Sequence, residues 1–145
     1  MKSLSVDSAY GVMRFISLGL GIVFACVISV AALGQDNPPA STVDGVQRVS
    51  VTGGSYHFEP SKIVVKINIP VELSLNSAPG LIPHTFVINA PQAGIVVDEN
   101  LSTENKVVRF TPSALGQYPF YCKNKLMFFK SHREHGMEGV LEVVE

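Results

Sequence analysis

Five side chains in the second half of the sequence are able to hold a soft metal ion. They are His84 in Pro83-His84-Thr85-Phe86, Cys122 after Phe120-Tyr121, and the cluster His132, His135 and Met137 in Ser131-His132-Arg133-Glu134-His135-Gly136-Met137. A thiolate and two imidazoles in a trigonal arrangement, with a weakly held thioether on the axis, suit copper, because soft sulfur stabilises Cu(I) while nitrogen still accepts Cu(II). Both oxidation states then sit in nearly one geometry, so little rearranges when an electron moves. Taken singly, each residue has a plainer use. A histidine at a strand start is most often a hydrogen-bonding residue, a single cysteine a small buried hydrophobe, a histidine in a charged loop a solvated side chain, and a methionine part of a core. The ordered set of all these residue types outweighs those uses.

The elements that must position them are strands. Val49 and Val51 alternate with polar neighbours, as do Ile63, Val65 and Ile67, and then Val71, Leu73 and Leu75. Further β-type runs cover Thr85 to Asn89, Lys106 to Thr111, Gln117 to Cys122 and Gly139 to Val144. Turn chemistry separates them at short intervals: Gly53-Gly54, Pro60, Pro70, Pro79-Gly80, Pro91, Pro112 and Gly116. The stretch Gly94 to Thr103 shows no clear strand pattern and reads as a loop or a short helix. Without a long amphipathic helix, the expectation is an all-β chain of seven or eight strands folded as a two-sheet Greek-key sandwich. Such a sandwich is stable without a cofactor, so function has to be argued from the site.

One His after an early strand, a Cys at the end of a late strand, then His and Met in the loop before the last strand is an order that resembles the cupredoxin family, the plastocyanin- and azurin-like mononuclear copper proteins. The likeness covers Val49 to Val144, and Tyr56-His57-Phe58-Glu59-Pro60-Ser61-Lys62-Ile63-Val64-Val65 is similar to the family's opening strands. The resemblance implies a cupredoxin-like sandwich holding one Cu(I)/Cu(II) ion. His84 and His132 would be its imidazole ligands, Cys122 its thiolate and Met137 its axial thioether. His132 stands five residues before Met137, the spacing of plastocyanin-like sites, while His135 stands two before it and competes for the same role. The segment Lys123 to Ser131 between Cys122 and His132 is longer than the ligand loop of the better-known members. A dinuclear centre would need a second cysteine where Leu126 stands. His57 reads as structural or exposed and Glu59 as a solvated turn residue, with a ligand role in a red-copper variant as its sharper reading.

At 145 residues the chain has room for one globular domain, expected at 47–145. Lys2 and Arg14 precede an uncharged apolar run from Phe15 to Leu33, followed by Gly34, Gln35, Asp36 and Pro38-Pro39. Residues 1–35 therefore read as a secretory signal peptide, or, given the length of the run, an uncleaved N-terminal membrane anchor. Either sends the domain out of the cytoplasm, to the periplasm or another extracytoplasmic space. Residues 36–46, rich in Pro, Ser, Asp and Gly, read as a linker. Cys26 lies inside the apolar run and not at its end, which argues against a lipid-modified cysteine.

A formal net charge of −1 gives no basic excess with which to neutralise phosphates, so no nucleic-acid partner is expected. No nucleophile triad or phosphate-cradling loop supports a hydrolase or nucleotide enzyme. The expected function is an exported carrier of single electrons between redox proteins. Copper storage or delivery, and a small copper enzyme with an open coordination position, are the rival readings. Lys123, Lys125, Lys130 and Arg133 beside the apolar Leu126, Met127, Phe128 and Phe129 suggest a basic docking face for an acidic redox partner. In the plainer reading, Leu126 and Phe128 or Phe129 pack over the edge of the site and exclude water.

Overall fold

Alternation of apolar and polar residues is realised in ten strands of a computed structural model that describes residues 40–125 and 127–145. In chain order these are β1 (Ser41–Val43), β2 (Val46–Gly54), β3 (His57–Glu59), β4 (Lys62–Lys66), β5 (Val71–Ser77), β6 (Thr85–Ala90), β7 (Ile95–Asn100), β8 (Lys106–Phe110), β9 (Gly116–Tyr121) and β10 (Glu138–Val144). Two one-turn 3-10 helices, Pro91–Ala93 and Arg133–His135, interrupt them. Residues 1–35, read above as a signal peptide or anchor, the first part of the stretch read as linker, and Leu126 lie outside the described residues. Among the described residues no helix is long and apolar enough to cross a membrane.

Two sheets result. One runs β1-β2-β5-β8 with β3 added to β2, and the other runs β4-β10-β9-β6-β7. Pairs β2/β5 and β10/β4 are parallel, and the remaining pairs are antiparallel. Strands adjacent in space but distant in sequence make this an all-β sandwich, as expected, with more strands than the seven or eight read from the sequence.

The three extra strands have physical reasons. Within the stretch read as linker, Ser41–Val43 folds back on Val46 through the left-handed Asp44-Gly45 turn, pairing Val43 with Val46. β3 is only three residues long, too short to show a period. In β7, which had been expected to be a loop or helix, Ile95 and Val97 point inward, while Val96 is exposed on the other face of an edge strand. An apolar residue on the solvent face hides the alternation.

The core between the sheets is built on Phe58, Phe86 and Phe120, whose ring centroids lie 5.0 to 5.5 Å apart. Such pairs add about 0.5–1.5 kcal/mol each beyond the area they bury. Val65, Leu73, Leu75, Ile88, Ile95 and Leu141 complete the interior with no exposed surface. Gly139 of β10 is required here, because a Cβ at that position would collide with the Phe120 ring and with the Ser61 carbonyl. A fully buried Gln47 ties β2 to the β4–β5 connection, accepting from Lys66 N–H and donating to the Lys66 and Ile69 carbonyls.

Candidate metal centre

Register alone brings three of the four expected ligands to one end of the second sheet. β6 and β9 are antiparallel with Val87 opposite Tyr121, so the start of β6 lies beside the end of β9. His84 directly precedes β6 and Cys122 directly follows β9. β10 pairs Glu138 with Tyr121, which sets Met137 opposite Cys122, and Cys122 N–H donates to the Met137 carbonyl at 3.1 Å.

His132 comes from the loop. Its N–H donates to Asn124 O at 2.9 Å, and its carbonyl accepts from Met137 N–H at 2.9 Å, so backbone bonds fix it to both ends of the segment that carries it. Ser131 and Glu134 hold the turn. Ser131 N–H and Oγ–H both donate to Glu134 Oε2, at 2.6 and 2.7 Å, and Glu134 N–H returns a bond to Ser131 Oγ at 3.3 Å. This reciprocal pattern is a capping box, and the Ser-x-x-Glu spacing that announces it was present in the sequence. The two bonds hold the Glu134 carboxyl below its ordinary range.

The outcome is a buried cluster in which one atom each of His84, Cys122 and His132 lie within 4.8 Å of one another. His84 Nδ1 is 3.2 Å from His132 Nδ1, and His132 Nδ1 is 3.4 Å from Cys122 Sγ. Burial, and then the neighbouring His132, push His84 below the ordinary imidazole value of 6.5; burial, and then nearby His135, do the same to His132. Both rings are therefore neutral at neutral pH and offer lone pairs. Two nitrogens and one sulfur converging without a carboxylate form a donor set that fits a soft or borderline-soft metal ion.

Met137 is fully buried opposite Cys122, and its methyl group packs toward Gly53 of β2. His135 is exposed and lies outside the three-residue cluster, although its ring stands 4.9 Å from that of Tyr56. His57 is exposed and contacts the Ser55 carbonyl, and Glu59 is exposed at the end of β3; neither joins the cluster.

Residues that the sequence did not single out complete the site. Thr85 N–H and Oγ1–H point at Cys122 Sγ, at 3.3 and 3.6 Å, and Thr85 Oγ1 accepts from Lys123 N–H at 3.0 Å. Asn124 Nδ2–H donates to the Pro83 carbonyl at 2.7 Å, tying the loop before His84 to the loop after Cys122. Neither role has a signal in sequence, because each depends on two strands being neighbours.

An open cleft of about 820 Å³ lies beside His132, lined among others by Tyr56, Leu81, Ile82, Phe129 and Lys130. An isolated bridge pairs Lys125 with Ser131. Between them in sequence, Met127 and Phe128 stand in solvent and Phe129 is two-thirds exposed. Phe128 and Phe129 thus do not seal the site as the plainer reading had it. Of the nearby cations, Lys123 is paired with Asp98 and Arg133 with Glu138.

No protein-family model matches the sequence, and no curated protein matches it. Solved structures do. The chain is 24% identical to the metal-binding domain of the Cu(I)-exporting P-type ATPase CopA of Streptococcus pneumoniae, over 74% of this chain and 94% of that one, with a TM-score of 0.57. A copper-binding protein studied in its apo form is 25% identical, over 74% and 96% of the two chains, with a TM-score of 0.54. Auracyanin A, a "blue" copper protein of Chloroflexus aurantiacus, is 17% identical over 69% and 100%, with a TM-score of 0.51. The ten-stranded sandwich with its His-Cys-His end is a cupredoxin-like fold.

Proposed function

We propose that the chain is an exported mononuclear copper protein that carries single electrons between redox partners. The observation that carries this reading is the convergence of His84 Nδ1, His132 Nδ1 and Cys122 Sγ at one buried end of the sandwich. His84, Cys122 and His132 would hold the ion, with Met137 as a fourth, weaker donor. Copper bound there supplies one-electron exchange between Cu(I) and Cu(II).

The protein's own part is to keep the donors in place. Thr85 donates to the sulfur and fixes its direction, the backbone bonds among Cys122, Met137, His132 and Asn124 tie the loop down, and the core beneath leaves little room to relax. His132 lines the cleft, which makes its ring the edge nearest a partner. Lys125 and Lys130 lie there without an ion-pair partner within 4.0 Å among the described residues, a charge arrangement that favours an acidic partner. Export is supported by the apolar run after Lys2 and Arg14, placing the domain at 47–145 in an extracytoplasmic compartment.

Copper storage or delivery is the second reading, favoured by the 25% likeness to a protein described only as copper-binding. Optical and EPR spectra of the Cu(II)-loaded domain beside Cys122→Ser test both. An intense visible band lost in the variant, with fast exchange with a small redox complex, is expected. Tight Cu(I) binding with slow exchange would favour delivery. Weak copper binding unaffected by the substitution would remove the site assignment.

A further inference from the structure

Two histidines of one loop could supply the second imidazole, and backbone bonds hold both: His132 to Asn124 and Met137, and His135 N–H to the Ser131 and His132 carbonyls. His132 and His135 stand three positions apart across the single 3-10 turn Arg133–His135, and side chains at that spacing on a 3-10 helix eclipse one another. Both imidazoles are offered on one face. Yet His132 is buried in the cluster with His84 and Cys122, while His135 is exposed outside it.

Tyr56 touches both rings. Its centroid lies 5.0 Å from that of His132, with the planes at 89°, and 4.9 Å from that of His135, with the planes at 38°. The first contact is edge-to-face and the second is a tilted stack, both within the range in which aromatic rings attract. Tyr56 is held there by the tight turn joining β2 to β3, where Ser55 has φ 50° and Tyr56 has φ 61°. A two-residue hairpin with both residues in the left-handed region asks for Gly, Asn or Asp, and a bulky residue there is an outlier. Such outliers persist where something else is gained. What this one gains is a ring set against both histidines.

We infer that Tyr56 is a positioning residue that decides which loop histidine reaches the metal: its ring steadies His132 in the cluster and holds His135 away from it. The inference rests on the metal reading above and adds the choice of ligand to it. The hydroxyl is not needed for this; the ring is.

Optical and EPR spectra of the Cu(II)-loaded domain, together with the unfolding midpoint of the metal-free protein, test this in Tyr56→Phe, Tyr56→Gly, His135→Ala and the double variant Tyr56→Gly/His135→Ala. Tyr56→Phe and His135→Ala should match the wild type. Tyr56→Gly should unfold at the same midpoint or a higher one, because glycine suits the turn, yet show a second copper species as His135 gains access. In the double variant that species should vanish. Should Tyr56→Gly fail to fold, Tyr56→Asn, which also tolerates the left-handed region, takes its place. A Tyr56→Gly spectrum identical to the wild type overturns the inference, as does a second species that survives undiminished in the double variant. A wild type without the thiolate charge-transfer band is a different failure: it removes the metal reading, and the inference with it.

Discussion

His84 and His132 are almost equally buried, at 5% and 6% exposure, but they are held in different ways. His84 precedes a strand in the middle of a sheet, and its carbonyl accepts from Leu101 N–H at 2.9 Å. His132 sits on a loop secured by a capping box and two backbone bonds, with one side of its ring at the cleft. One imidazole belongs to the framework and the other to a rim that faces the cleft. A site built this way keeps its geometry through the strands and its access through the loop.

The sharpest way to break that contrast is to delete each ring. His84→Gly and His132→Gly should both abolish the thiolate-to-copper band. Added imidazole should restore most of it in His132→Gly, where the hole opens on the cleft, and little of it in His84→Gly. Absorbance during an imidazole titration reads this directly, and equal rescue of the two would mean that access does not distinguish them. The next largest effect belongs to the framework. In Gly53→Ala the new Cβ would stand 2.6 Å from Leu101 Cδ1 and 3.2 Å from Met137 Cε. Both atoms end flexible side chains that can swing aside, so denaturant unfolding should show a loss at or below the low end of the about 1–3 kcal/mol that overpacking costs, while the band shifts as Met137 is displaced.

The same contrast explains what could be read from the sequence. Alternation in β2, β4 and β5 pointed to the sandwich, and the order His, Cys, His, Met to the clustered residues, because strand register carries His84, Cys122 and Met137 to one end without further choice. β7 was missed because Val96 faces solvent, and β3 because three residues show no period. Thr85 and Asn124 could not be foreseen, since their partners Cys122 and Pro83 lie 37 and 41 residues away. The Ser-x-x-Glu spacing of Ser131 and Glu134 is legible in the sequence, but without a run of helical residues behind it the spacing alone does not establish a turn.

Thr85 offers a smaller test on the framework side. Thr85→Val keeps the volume but removes the hydroxyl that donates to Cys122 Sγ and accepts from Lys123 N–H. A part-buried donor left unpaired costs about 1–3 kcal/mol, and the charge-transfer band should move as the sulfur loses a hydrogen bond. Across both sides, pH separates two contributions in the metal-free protein. His84 and His132 have folded values below 6.5, so the folded state binds fewer protons than the unfolded chain. Stability should be full above pH 6.5 and fall as pH drops through the folded values. Glu134, held below its ordinary 4.5, adds a second decline at more acidic pH. Unfolding midpoints against pH should show both windows; Glu142, held low by Lys62 and Gln117, shares the lower one, so Glu134→Gln should make that decline shallower and leave the upper one unchanged.

The smallest expected effect concerns the rim alone. Lys123 and Arg133 are already paired with Asp98 and Glu138, so of these four cations Lys125 and Lys130 are left to steer a partner, with Glu134 close enough to feel both. Lys125→Glu/Lys130→Glu should leave the copper spectrum and the unfolding midpoint unchanged, because neither side chain bonds to the framework. Electron exchange with an anionic small redox complex should slow by up to about tenfold at low salt, and exchange with a cationic one should quicken. Raising ionic strength to 1 M shrinks the screening length to about 3 Å and should bring variant and wild type together. If both complexes react at unchanged rates in the variant, the cleft is entered without electrostatic guidance, and its apolar walls alone would have to recognise the partner.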